Sequence, residues 1–306
     1  MIYDYQNFDN YAFKQAWEKG FNRKLNEKVY NWAFRSKNKV YVYEDAGQVV
    51  GGYCLIPLRI FIDNKLSSGY LCNNVFVHMV AEFKYQRERV FEKLADYCFK
   101  KNPSVLIAFP NKNALSSHLN NGWIETLDMA VYEHYKSEYF FCDHVKNIEI
   151  EKLPFVSFSE LATKVSIDSV NTFSVFKSQE FFKWRYETNP QNLYDYFIVR
   201  SEGQVAGYLV VKFFPERKRL HIVDFNFINT KLCNFDKLIA LLREVYEHLD
   251  YEAIDILESP VFRAKLTASK MFHKSNIFFS MIVKGKQIEG VNFDLAHIVF
   301  GDNEVY

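Results

Sequence analysis

Apolar positions recur at helical spacing over residues 10–36, with Phe13 and Trp17 on one stretch and Val29, Tyr30, Ala33 and Phe34 on the next. This spacing predicts two short amphipathic helices, separated near Gly20-Phe21-Asn22. From residue 39 the period drops to two, with Val40 and Val42 facing one way and Tyr41 and Tyr43 the other. Asp45-Ala46-Gly47-Gln48 then reads as a tight turn, and 49–61 as the returning strand of a hairpin. A turn at 63–69 leads to a strand at 70–78. A helix at 87–101 follows, with Val90, Phe91, Leu94, Ala95 and Cys98 on one face. Val105-Leu106-Ile107-Ala108-Phe109 is a short apolar run of the buried-strand kind. A helix at 113–121 stops at Gly122, and a strand at 127–135 closes the series.

The same order returns in the second half. It runs as a helix at 178–187, strands at 194–200, 205–214 and 220–227, a helix at 235–249, a strand at 253–257, a helix at 261–271 and a strand at 277–283. Three local matches fall on corresponding elements. Glu27-x-x-Tyr30-x-Trp32-x-Phe34 parallels Gln179-x-x-Phe182-x-Trp184-x-Tyr186. Gly47-Gln48-Val49-Val50-Gly51 parallels Gly203-Gln204-Val205-Ala206-Gly207, and Phe109-Pro110 with Ala114 parallels Ser259-Pro260 with Ala264. Three matches in one order imply an internal repeat of roughly 150 residues. The expected organisation is α+β, with one domain over 1–140 and a second over 150–306.

Composition narrows the function. Lys plus Arg is 38 and Asp plus Glu 37, a net charge of +1, which excludes a strongly basic nucleic-acid binder. The chain of 306 residues carries 30 Phe, 20 Tyr and 4 Trp, enough rings to fill a core and line a cleft. Only 11 residues are Gly, about half the usual ~7 %. The N-terminus has no basic stretch leading into an apolar run, and no stretch approaches membrane-span length. The five cysteines are scattered without a C-x-x-C, the usage of reduced thiols in a cytoplasmic protein. Cys142-Asp143-His144 holds metal-ligand types but reads as a polar linker, so no metal is expected. H-E-x-x-H, G-x-S-x-G and the Walker lysine loop are all missing.

Asn111-x-x-Ala114-x-x-x-His118-x-x-x-Gly122-Trp123 resembles the N-x-x-A-x-x-x-Y-x-x-x-G-F stretch that follows the fifth strand of GNAT N-acetyltransferases. The element order resembles that superfamily too, present twice over nearly the whole chain. The resemblance implies two tandem GNAT-like domains, each a central mixed β-sheet flanked by helices, with acetyl-CoA as acyl donor. Asn111 then stands where the family's asparagine helps hold the pantetheine arm. His118 stands where its tyrosine protonates the leaving thiolate, a role an imidazole can fill near neutral pH.

The family's R/Q-x-x-G-x-G/A loop, whose amides cradle a pyrophosphate, falls on Gln86-Arg87-Glu88-Arg89-Val90-Phe91, with Arg89 and Phe91 in the glycine places. Lys84, Gln86, Arg87 and Arg89 are the candidates to contact the phosphates. The backbone around Val75 and Val77 is the candidate to meet the pantetheine and thioester. His78, Glu82 and Asp224 are candidate bases by their positions near strand ends.

In the second copy Val261 and Ala268 take the places of Asn111 and His118, which implies a degenerate partner domain that completes the substrate cleft. Trp184-Arg185-Tyr186 with Asn189-Pro190 further resembles tandem GNAT proteins of bacterial surface-polysaccharide gene sets, and so points to an amino sugar or nucleotide sugar as the amine. The ending Gly301-Asp302-Asn303-Glu304-Val305-Tyr306 resembles theirs, and by itself reads as a solvated tail. Two other functions share this fold. One is a Fem-type aminoacyltransferase, against which the neutral charge and the lack of a long helical arm speak. The other is a non-catalytic GNAT pair that binds a ligand, which the replaced glycines favour. The expected partner is a small molecule, with no nucleic acid, no membrane span and the oligomeric state left open.

Overall fold

The computed structural model describes residues 1–5, 11–33, 38–77, 89–138, 148–169, 171–190 and 193–302. Their elements run β1 (Ile2–Tyr5), α1 (Tyr11–Phe21), α2 (Glu27–Ala33), β2 (Lys39–Asp45), β3 (Gln48–Ile62), β4 (Lys65–Val77), α3 (Val90–Lys101), β5 (Val105–Ala108), α4 (Lys112–Leu119) and β6 (Ile124–Tyr135). Then follow β7 (Ile148–Lys152), α5 (Phe155–Asp168), β8 (Phe173–Val175), α6 (Gln179–Phe182) with a π-helical turn over Lys183–Glu187, β9 (Tyr194–Ser201), β10 (Gln204–Phe214) and β11 (Arg219–Phe227). The last are α7 (Phe235–Val245), β12 (Ala253–Leu257), α8 (Arg263–Ala268) and β13 (His273–Lys284). The architecture is α+β: mixed sheet with flanking helices.

The chain divides into two compact units. One comprises Met1–Arg59, Ser67–Leu127 and Ser280–Gly290, and the other Ile60–Leu66, Asp128–Phe279 and Val291–Tyr306. In the first, the strand order is β1-β2-β3-β4-β5-β13. The β2–β3 hairpin turns through Ala46 and Gly47 at φ 48° and 76°. Two successive positive φ values make the type I′ turn that matches strand twist, which is why a Gly stands there. α3 lays Val90, Leu94, Ala95 and Cys98 onto the sheet, against Tyr53, Leu55, Cys72, Leu106 and Ala108. Each Val or Leu among them contributes about 1.5–3 kcal/mol by leaving water.

In the second unit the order is β6-β12-β11-β10-β9-β7, and β9 and β10 turn through Glu202 and Gly203 at φ 52° and 77°, as in the first hairpin. Its core gathers Phe197, Leu209, Val211, Ile222, Phe225, Leu238, Leu242, Ile254 and Ile256. Four elements lie where the sequence pattern gave none: β1, β7, α5 and β8.

The closing strands are also exchanged relative to expectation. Ile282–Lys284 of β13 pairs with β5 in the first unit (Ile282↔Ala108), whereas Val131–Tyr135 of β6 pairs with β12 in the second (Tyr135↔Ala253). A strand's period-two pattern encodes which face is buried and leaves its hydrogen-bond partner unspecified. Cys54, Cys72, Cys98 and Cys233 are buried and unbridged. Among the described residues no helix is long and apolar enough to cross a membrane, and no three metal-ligating side chains converge.

Candidate functional site

In the first unit β4 and β5 run parallel only briefly, from Gly69↔Val105 to Leu71↔Ile107. β4 then runs on past the end of that pairing to Val77, and Asn74 interrupts it at φ 46°. A left-handed residue inside a strand bends it and turns its backbone groups out of the ladder, and Asn tolerates this better than most side chains. Asn74 Oδ1 accepts a hydrogen bond from Trp17 Nε1–H at 3.0 Å, which ties the bend to α1. The Arg23 guanidinium stacks over Trp17 at 4.8 Å. Val75 and Val77 are half-buried against the core.

Arg89 precedes α3 at φ 53°, ψ 47°, with no side-chain cap. Arg89, which the sequence resemblance aligns with a glycine, thus has a left-handed backbone. The Arg89 side chain is 68 % exposed and 3.9 Å from Glu92. Asn111 is the N-cap of α4, its Oδ1 accepting from Ala114 N at 2.9 Å. The side-chain amide nitrogen takes no part in that cap. Gly122 ends the segment at φ 74°.

His118 is 3 % exposed, boxed by the rings of Phe91 (4.8 Å), Trp123 (5.2 Å) and Tyr53 (6.3 Å). Phe91 and His118 thus pack on each other. His118 Nδ1 lies 2.9 Å from Ala114 O, which can only accept, so this nitrogen carries the hydrogen. Nε2 is buried, with no hydrogen-bond partner among the described residues. Burial, with the Lys284 cation as a smaller cause, lowers the imidazole pKa. The ring is neutral at pH 7, its one N–H spent on Ala114, and proton donation from Nε2 requires a protonation that burial opposes.

The second unit repeats the geometry and fills it with its own chain. β11 and β12 pair from Arg219↔Ala253 to Ile222↔Ile256, after which a bulge at Val223 bends β11. His297 spans the strands beyond that point. Its Nε2–H donates to Phe225 O at 2.6 Å, and its Nδ1 accepts from Ser259 Oγ at 2.8 Å. Its own N–H donates to Phe173 O at 2.8 Å. Burial and then the Lys177 cation hold this ring neutral, its pKa down to about 3.

Asp224 is fully buried and accepts from Lys177 Nζ (2.7 Å), Tyr186 OH (2.6 Å) and Tyr208 OH (3.1 Å). Lys177 also pairs with Asp302 at 3.2 Å. Asp302 accepts from Val299 N at 3.0 Å, and its carboxyl is raised to about 6 by burial first and Asp224 after it. Arg185 Nε–H donates to Gly301 O at 2.9 Å. Gly301 and Asp302 are therefore buried anchors, not the start of a solvated tail. A Cβ on Gly301 would lie 2.0 Å from Tyr186 OH, so only glycine fits there.

His78, Glu82, Lys84, Gln86 and Arg87 lie outside the described residues, as do Cys142-Asp143-His144 and 303–306. Among the described candidates, Arg89, Asn111 and His118 belong to the α3 and α4 ends of the first unit, and Asp224 to the second unit's buried network. Lys177 was not singled out from sequence. Its only signal is a cation directly after the apolar run Phe173-Ser174-Val175-Phe176.

No family model matches the chain, and no curated protein matches it. Solved structures do. A conserved protein of unknown function from Enterococcus faecalis, described as a probable N-acyltransferase, superposes with TM-score 0.72 at 10 % identity, over 93 % of this chain and 71 % of that one. A GCN5-related N-acetyltransferase from Anabaena variabilis gives 0.67 at 12 % identity, over 93 % and 72 %. The Saccharomyces cerevisiae N-myristoyltransferase, solved with bound myristoyl-CoA, gives 0.57 at 10 % identity, over 99 % and 88 %. Identities this low speak to architecture alone, and they establish that the chain has the fold of the GNAT acyltransferases.

Proposed function

We propose that the protein is an acyl-CoA-dependent N-acyltransferase of the tandem GNAT kind, which transfers an acetyl group to a small amine such as an amino sugar or nucleotide sugar in the cytoplasm. The observation that carries this reading is the left-handed Arg89 at the head of α3. An L-residue in that region costs about 1–2 kcal/mol. A helix start entered through such a residue leaves its first amides free to meet an anion, and that supports a phosphate site there. The early parting of β4 from β5, with the bend at Asn74, supports the same reading.

In this reading the first unit holds the donor, which supplies the activated acyl group. Lys84, Gln86, Arg87 and Arg89 would contact its phosphates, Asn111 its amide arm, and the β4 backbone at Val75 and Val77 its carbonyl end. His78 or Glu82 would accept the amine proton. Asp224, with three donors of its own, would serve as an anchor of the second unit. That unit would take no donor, because His297 already occupies the hydrogen-bonding edge of β11.

Calorimetry with acetyl-CoA tests the proposal, with one molecule per chain as the expected result. Release of free thiol in the presence of glucosamine reports transfer. No heat and no thermal shift at millimolar acetyl-CoA would sink the donor site. The buried, neutral state of His118 favours a second reading, a unit that binds acyl-CoA without transferring. Heat without thiol release across a panel of amines selects that reading.

A further inference from the structure

The C-terminal end of α1, in the first unit, borders a cleft of about 430 Å³. Gln15, Glu18, Lys19, Asn22, Arg23 and Lys24 line it. The chain folds back there on fixed bonds. Asn22 closes the helix at φ 48°, Arg23 N–H donates to Glu18 O at 3.2 Å, and Leu25 N–H donates to Glu18 Oε1 at 2.8 Å. Glu18 Oε2 lies 3.5 Å from Lys24 Nζ, so the one carboxylate among these lining residues is already engaged.

The Arg23 guanidinium lies 4.8 Å from the centre of the Trp17 ring system and 5.4 Å from that of Phe21. Those two rings are 4.8 Å apart, and Trp17 is itself pinned to Asn74 through Nε1. Among the described residues the guanidinium gives no hydrogen bond to a carboxylate or to a carbonyl of the last turn of α1, and the Lys19 ammonium gives none either. Neither cation is therefore spent on capping the helix. A guanidinium held on aromatic rings keeps its N–H edge open and loses little further freedom when that edge is filled. Such an edge takes two oxygens of a phosphoryl group in a fork.

Lys19 supplies a second unspent cation, and Lys24 a third that it shares with Glu18. This lining favours a dianion over a neutral ligand. The side-chain amides of Gln15 and Asn22 have no hydrogen-bond partner among the described residues, and each can donate and accept, as hydroxyl groups require. The cleft falls within the ~300–1,000 Å³ of small-molecule sites.

We propose that this cleft binds a small polyhydroxylated molecule carrying a phosphate monoester, with Arg23 and Lys19 on the phosphate and Gln15 and Asn22 on the hydroxyl groups. The site lies wholly within the first unit. It does not rest on the acyltransferase reading, since binding there requires no acyl-CoA.

The test is calorimetric titration of the intact protein, free of CoA, with glucose 6-phosphate and with glucose at pH 7. Glucose 6-phosphate is expected to bind and glucose is not. Arg23→Ala should weaken binding about tenfold, and Arg23→Lys nearly as much, because an ammonium keeps the charge and loses the fork. Lys19→Ala should weaken it several-fold. Lys28→Ala removes an equal charge from an exposed position outside the cleft and should leave affinity unchanged. Arg23 is exposed, so its variants should melt with the parent protein, which separates a lost site from a lost fold. No binding of glucose 6-phosphate at about 10 mM, where even a millimolar site fills, would overturn the proposal. So would equal binding of glucose, full affinity in Arg23→Ala, or a loss in Lys28→Ala as large as in Arg23→Ala, which is the mark of diffuse attraction to a basic surface.

Discussion

Replacing Lys177 with Met should unbalance the second unit more than any other single change of similar volume. The lysine side chain is 3 % exposed and lies 2.7 Å from Asp224 and 3.2 Å from Asp302, both fully buried. Methionine fills nearly the same space, so little packing is lost. What remains is two carboxylates in a dry interior with only Tyr186, Tyr208 and backbone donors between them. Breaking a buried pair by removing one partner costs about 3–5 kcal/mol, against a typical total of roughly 5–15 kcal/mol.

The pH dependence supplies the sharper test. A carboxyl whose folded pKa is raised contributes stability below its unfolded value, and loses it as pH climbs through the folded value. Asp302 already sits at about 6 with Lys177 present, and its carboxyl should rise further without that cation. The penalty of Lys177→Met should therefore be full at pH 7 and shrink to less than half by pH 5. Urea unfolding at the two pH values, followed by tryptophan fluorescence, measures it. A loss below about 1 kcal/mol at pH 7, or one that does not shrink on acidification, refutes the reasoning. Adding Asp224→Asn and Asp302→Asn to Lys177→Met should restore most of the loss, since no buried charge is then left unpaired.

Gly301→Ala should cost about 1–3 kcal/mol in a thermal melt, the usual penalty of overpacking, and Tyr186→Phe in the same chain should recover part of it. Arg89→Gly should stabilise the first unit by about 1 kcal/mol through relief of the left-handed arginine, with CoA affinity held or improved in calorimetry. His118→Ala should lower stability by about 2–4 kcal/mol, as loss of a boxed ring does. If His118 is a general acid, its removal instead costs about 10²–10⁴-fold in turnover, and a pH profile below the ordinary histidine range identifies the group.

Local chemistry was the legible part of this chain. The turn at Asp45-Ala46-Gly47-Gln48 was readable because Gly47 closes a run of alternating residues, and the positive φ values at Ala46 and Gly47 agree with it. The apolar face of α3 was readable from its spacing. α5 carries a helical signal of its own, with Phe158, Ala162 and Val165 buried at helical intervals. β1, β7 and β8 are three to five residues long, too short for periodicity to tell them from loop. The site was harder. Asn111 was legible as the residue opening α4, but an N-cap and a ligand-holding amide look the same in sequence. The burial of His118 depends on Phe91, Tyr53 and Trp123 converging from three other segments. Lys177, Asp224 and Asp302 meet across more than a hundred residues, a pairing that no local pattern carries.

The exchange of closing strands bears on how the chain reaches this state. β5 of the first unit ends at Ala108, yet the strand that pairs along it begins that pairing at Ile282. During vectorial synthesis the first unit therefore stays one strand short until nearly the whole polypeptide exists, with an open β5 edge for all that time. Contacts so distant in sequence slow the search for the native topology, and an unpaired edge is where chains stick to one another. Residues 1–140 expressed alone should accordingly fail to form a soluble monomer, and supplying residues 273–290 as a separate strand should improve their recovery.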